Sequence, residues 1–134
     1  MLIELRPGLD PELTALVVAQ QRELGLAAGI PWGREHLVGI VDGRAVACGA
    51  WRSAGPEVAI LARLYVRPAY RRRGLGRQLV VALEEEISAA GRSEVRLSAF
   101  IDRPAALALF RAAGYLPAPG GRLTKSLSVL GRVP

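Results

Sequence analysis

Apolar positions along this 134-residue chain follow two periods: three stretches repeat every three to four residues, and the segments between them alternate or run apolar. "LIEL" at residues 2–5 reads as a short strand closed by Pro7. "PELTALVVAQQREL" reads as a helix with Asp10 as its cap, Pro11 at its first position and its end near Gly25. "GLAAGIPWG" is a loop holding Trp32, and "EHLVGIVDGRAVACGAW" gives two strands about the turn Asp42-Gly43. "EVAILARLYVR" is a long strand ended by Pro68, with Ile60, Ala62, Leu64 and Val66 on one face and Arg63, Tyr65 and Arg67 on the other. A second face that is partly apolar predicts a central strand.

From Gly74 to Ala90 the residues Leu75, Leu79, Val80, Leu83 and Ile87 fall at helical spacing, and Glu84, Glu85 and Glu86 read as the solvated face of that helix. "SEVRLSAF" is a further strand, "RPAALALFRAAG" a short helix stopped at Gly114, and "GRLTKSLSVL" a last strand after "PAPGG". The order predicts a mixed α/β (α+β) fold, a central mixed sheet with helices on its faces.

Composition narrows the class. Hydrophobic residues are 51% and charged residues 22%, the mix of a globular protein, and the length predicts a single domain over 1–134. One cysteine, Cys48, and one histidine, His36, do not assemble a metal centre or an internal disulfide. The opening "MLIELRPGLD" is no signal peptide and no run has the length of a membrane span, so a cytoplasmic home without membrane partners is expected.

The net charge of +6 favours an anionic partner, and six of the 18 basic residues lie between Arg63 and Arg77. Only Tyr65 and Tyr70 stand among them, too few aromatics for a stacking platform, which disfavours nucleic acid. Within that run, "RRRGLG" stands where the long strand turns into a helix. A helix start carries unpaired N–H groups and partial positive charge, and glycine lets an anion approach them. Gly74 and Gly76 bare the backbone there while Arg71, Arg72, Arg73 and Arg77 surround it, a cradle suited to pyrophosphate. No Gly-Lys-Ser/Thr follows, and Leu79 stands where a dinucleotide fingerprint has its third glycine.

At these residues the chain resembles the GCN5-related N-acetyltransferases, the GNAT family, whose acetyl-CoA motif is Gln/Arg-x-x-Gly-x-Gly/Ala after a strand ending like "YVRP". Arg71, Gly74 and Gly76 match that motif, and "ALALFRAAGY" is similar to the family's later "A-x-x-LY-x-x-x-GF" stretch. The resemblance covers about residues 35–117. It implies the GNAT acyl-CoA N-acyltransferase fold, with about six to seven strands, helices on both faces, and splayed fourth and fifth strands, "ILARLYV" and "EVRLSAF".

It further implies acetyl-CoA as co-substrate without a metal. The backbone of Leu64, Tyr65 and Val66 would hold the pantetheine arm, the amides from Arg71 through Leu75 and Gly76 to Arg77 the diphosphate, and Phe110 would stand beside the coenzyme. The implied activity is acetyl transfer to a primary amine, on a small molecule or a protein or peptide, by direct attack in a ternary complex; dimers are common among similar proteins.

Two positions depart from the family pattern. The tyrosine of "LY", the usual general acid, is Phe110 here, and the usual strand-four glutamate is Ile60, which leaves Glu57 at the strand's start as the candidate base. Glu35 and His36 are alternative relays. Those gaps motivate a competing reading, a catalytically weak or inactive coenzyme A-binding regulatory module. Trp32 and "APGG" stand in the loops that choose acceptors in the family.

Overall fold

The computed structural model describes residues 1–8, 10–25, 35–97, 104–120 and 122–127. Among them the chain runs β1 (Leu2–Arg6), α1 (Pro11–Leu24), β2 (His36–Val41), β3 (Arg44–Ser53), β4 (Val58–Val66), a 3-10 turn (Pro68–Tyr70), α2 (Leu75–Ala89), β5 (Glu94–Leu97), α3 (Pro104–Ala112), β6 (Leu116–Pro117) and β7 (Leu123–Ser126). The strands form one mixed seven-stranded sheet in the order β1-β2-β3-β4-β5-β7-β6. β4 and β5 pair in parallel from Val58↔Glu94 to Leu61↔Leu97, while the β1–β2, β2–β3, β5–β7 and β6–β7 pairs are antiparallel. Residues 98–100, which carry the far end of "EVRLSAF", lie outside the described residues, as does Trp32. No described helix is long and apolar enough to cross a membrane.

The chain packs as two compact units, Met1–Ala50 with Leu64–Leu79, and Trp51–Arg63 with Val80–Pro134. In the first, Asp10 caps α1 by accepting from the Leu13 amide at 3.0 Å, Pro11 opens the helix, and Gly25 ends it at φ +70°. The stripe of Leu13, Leu16 and Val17 packs with Val38, Ala45, Cys48 and Tyr65 into this unit's core. The β2–β3 hairpin turns on Asp42 and Gly43, both at positive φ (50° and 77°), the pairing that a two-residue turn of the right twist demands. Over its second half β4 buries Arg63 and Tyr65 and leaves Ala62, Leu64 and Val66 half-buried, with Tyr65 packed against the α1 stripe; Ile60, earlier on the strand, is buried.

In the second unit Leu83, Ile87, Val95, Leu97, Phe110 and Tyr115 are buried. The triple glutamate on α2 is not one solvated face. Glu84 accepts from the Tyr115 hydroxyl at 2.8 Å and from Lys125 Nζ at 3.0 Å, and Glu86 accepts from Trp51 Nε1 at 2.8 Å; Glu85 alone of the three is exposed. Val80 and Glu84 are one turn apart, so Glu84 shares the edge of the buried stripe.

Arg6 binds Glu4, Asp10 and Glu12, at 2.9, 3.1 and 3.1 Å. The Leu13 amide, then the Arg6 guanidinium, holds the Asp10 carboxyl below the usual carboxylate range; Arg6, then the Ala45 amide, does the same for Glu12. Lowered folded-state values mean stability that is present above about pH 4 and is lost as pH falls through the folded values. Asp10→Ala is therefore expected to lower the melting temperature at pH 7, with a smaller decrement at pH 3, in paired thermal melts.

Candidate functional site

Arg67, the residue after β4, donates its amide to the Val46 carbonyl of β3 at 2.8 Å. Alternate residues of a strand point their carbonyls to opposite edges, so Leu64 and Val66 present theirs to the edge away from β3. Pro68 keeps Arg67 extended (φ −56°, ψ 139°) and opens the 3-10 turn, in which Tyr70 N donates to Arg67 O at 2.8 Å. The chain then alternates hand: Arg71 is extended at φ −73°, Arg72 stands at φ +63° and Gly74 at φ +78°. A left-handed arginine is uncommon and marks a loop held in a set shape.

Gly74 O accepts from Gln78 N at 3.1 Å, the first bond of α2, so the amides of Leu75 and Gly76 sit at the open end of the helix. A Cβ on Gly74 would meet nothing within 4 Å; the glycine answers to its φ, and the space outside it is open. Arg72, Arg73 and Arg77 are exposed, Gly76 is half-buried, and Leu75 is buried beneath the turn. Bare amides, the helix's partial charge and three exposed guanidinium groups suit a diphosphate.

Arg71 is exposed as well, and its guanidinium is already engaged. Its Nε donates to Val66 O at 2.8 Å, its Nη2 reaches both Glu23 oxygens at 2.8 and 2.7 Å, and its guanidinium lies 5.6 Å from the Tyr65 ring centroid. Arg71 thus ties the last turn of α1 to the end of β4. Arg73 lies over the Tyr70 ring at 5.1 Å. Burial, then the Glu23 carboxylate, raises the Tyr65 phenol above its ordinary value and keeps it protonated.

The edge of β4 holds residues that sequence reasoning missed. Gln20 is buried and donates Nε2 to Leu64 O at 2.9 Å. Gln21 is buried too, and its Nε2 has no hydrogen-bond partner among the described residues. The signal was present, since 13, 16, 17, 20 and 21 are one helical stripe whose character changes from apolar to amide.

The other candidates stand elsewhere. Glu57 lies in the turn before β4, exposed, its carboxylate accepting from the Ser93 hydroxyl at 2.7 Å, and six residues of the chain separate it from Leu64. Phe110 is fully buried on α3 with its ring edge-on to Tyr115 at 5.1 Å. Ile60 is buried, Glu35 exposed, and His36, the first residue of β2, is buried.

The chain matches the model of the acetyltransferase (GNAT) family over residues 7–115, a span that runs through both packing units. Among solved structures it is similar to a protein of Klebsiella pneumoniae assigned as an acyl-CoA N-acyltransferase, at 25% identity and a TM-score of 0.75 over 95% of this chain and 99% of that one. PaiA N-acetyltransferase from Thermoplasma acidophilum, solved in complex with coenzyme A, has its fold with a TM-score of 0.68 at 17% identity, over 95% of this chain and 100% of that one. A GNAT family acetyltransferase from Elizabethkingia anophelis, solved with acetyl-CoA bound, gives 0.68 at 13% identity over 93% and 98%. No curated protein sequence matches the chain.

Proposed function

This chain belongs to the GNAT acetyltransferase family, and from that premise we propose that it moves an acetyl group from acetyl-CoA to a primary amine by direct attack in a ternary complex. The observation that carries the reading is the backbone from Arg71 to Gly76: alternating hand, a positive φ at Gly74 and bare amides opening a helix amid exposed arginines. The amides of Leu75 and Gly76 take the diphosphate, with Arg72, Arg73 and Arg77 around it. The β4 backbone at Leu64, Tyr65 and Val66 holds the pantetheine arm as it would hold another strand. Acetyl-CoA supplies the activated acyl carbon and a thiolate leaving group.

The residues of this chain then have four tasks. The loop and β4 fix the thioester, which removes the cost of aligning two reactants. A backbone N–H in the Leu64–Val66 segment stabilises the oxyanion that forms as the amine nitrogen bonds to the carbonyl carbon. The amine arrives largely protonated, since such groups have a pKa of about 10.4, and gives up its proton to water; Glu57, the candidate base, lies before the start of β4 and takes it only from solvent. When the carbon–sulfur bond breaks, Phe110 has no proton to give; a thiol of pKa about 8.5 leaves as thiolate and is protonated by water or by the ammonium formed at the attacking nitrogen, which loses its proton as the amide forms.

Acetyl-CoA and a panel of small and peptidic amines, followed by thiol release, test this. Release is expected to saturate with acetyl-CoA and to rise with pH as the neutral amine fraction grows. Phe110 and Ile60, apolar where the family uses a tyrosine and a glutamate, favour the second reading, a coenzyme A-binding regulatory module. Saturable binding with no release from any amine would establish that reading, and absence of binding would overturn both.

A further inference from the structure

We propose that the last turn of α1 is an exchangeable clasp on the coenzyme-binding edge of β4, with Gln20 and Arg71 occupying in the free protein the Leu64 and Val66 carbonyls that the pantetheine arm takes on binding. The inference rests on the functional reading above and adds to it the residues that guard the coenzyme's seat.

The edge carbonyls of Leu64 and Val66 point the same way, two residues apart, and each accepts from a side chain. Gln20 Nε2 donates to the first at 2.9 Å and Arg71 Nε to the second at 2.8 Å. Both donors are held by α1: Gln20 continues the stripe of Leu13, Leu16 and Val17 toward the end of the helix, and Glu23, three residues on, grips Arg71 with both carboxylate oxygens. Leu64 and Val66 are half-buried, and a strand-edge carbonyl there is satisfied in the free protein by these side-chain donors. An entering pantetheine amide offers the same N–H, and the exchange keeps each carbonyl bonded.

The two halves of the clasp differ in strength. Gln20 is 9% exposed, so its amide must find another partner when displaced, and Gln21 beside it already carries a buried Nε2 without one among the described residues. The Arg71–Glu23 pair has side chains 41% and 38% exposed, and an ion pair so wet is held weakly. The diphosphate would compete with Glu23 for the same guanidinium. Gln20 is therefore the half that resists entry, and it acts as a positioning residue on the free enzyme's β4.

The test compares coenzyme A with adenosine 3′,5′-bisphosphate, which has no pantetheine arm, by calorimetric titration of the full chain. Gln20→Leu leaves the Leu64 carbonyl without its donor in the free protein, so coenzyme A is expected to bind about 3- to 10-fold tighter, while the bisphosphate affinity stays within twofold. Gln20→Met, closer in length and equally unable to donate, gives the same pair of measurements if the leucine variant does not fold. Coenzyme A affinity that falls or holds steady in either folded variant overturns the clasp and makes Gln20 a plain support of the strand. A wild-type protein that fails to bind coenzyme A overturns the functional reading and the clasp together; wild-type binding without a gain in the variants overturns the clasp alone.

Discussion

Gly76→Glu is expected to weaken coenzyme A binding by at least about 100-fold while leaving the thermal transition at or above the wild-type temperature. Gly76 is the second residue of α2. In a first helical turn glutamate is favourable on two counts: it relieves the conformational cost of glycine, about 0.5–1 kcal/mol, and it complements the helix's positive end by about 0.3–1 kcal/mol. The fold therefore gains or stays level. Binding goes the other way, because a carboxylate about 5 Å from a diphosphate at an effective dielectric of about 20–40 repels each phosphate charge by about 2–3 kcal/mol, before any steric clash. A structural turn would respond to the substitution only through stability. Opposite signs in stability and affinity are the mark of an anion seat, and raising the salt concentration should return part of the loss.

Glu84→Ala is expected to lower the melting temperature by about 8–15 °C. Glu84 takes the Tyr115 hydroxyl at 2.8 Å and Lys125 Nζ at 3.0 and 3.2 Å, while Lys125 also donates to Ala113 O at 2.8 Å and lies 5.7 Å from the Tyr115 ring centroid. The Glu84 and Lys125 side chains are 14% and 26% exposed, and Tyr115 is 1% exposed, so removing the carboxylate strands an ammonium and a hydroxyl. That costs about 2–4 kcal/mol, and in a domain of this size each kcal/mol moves the transition by about 3–5 °C. Burial, then the bond to Glu84, also raises the Tyr115 phenol above its ordinary value. Adding Lys125→Met to Glu84→Ala should recover part of the loss, since the stranded charge goes with it; full additivity in the double-mutant cycle would show that the three groups are not one network.

The apolar period and the turn residues carried most of the fold. Asp10, Pro11 and Gly25 bounded α1, Asp42-Gly43 placed the hairpin, and Leu75, Leu79, Val80, Leu83 and Ile87 set the phase of α2. Gly74 before that helix and Gly76 in its first turn marked the candidate site, because glycine at a strand-to-helix turn has a local conformational cause. What stayed hidden depended on distance along the chain. Arg71 and Glu23 are 48 residues apart and Gln20 and Leu64 are 44, and no local pattern announces such pairs. Three successive glutamates look alike in sequence, yet Tyr115 and Lys125, brought in from beyond α3, single out Glu84. β4 is apolar on both faces, so period alone did not say that the Tyr65 side meets α1. β6 spans two residues, too short to leave a period.

The most direct measurement of the account is calorimetric titration of acetyl-CoA into the folded wild-type chain, with Gly76→Glu as its paired control. Saturable heat at one site per chain, abolished in the variant and displaced by adenosine 5′-diphosphate, is the result expected of a diphosphate seated on the Leu75 and Gly76 amides. A cooperatively folded wild-type protein that gives no heat at any reachable concentration, or one whose affinity is unchanged by Gly76→Glu, would contradict it.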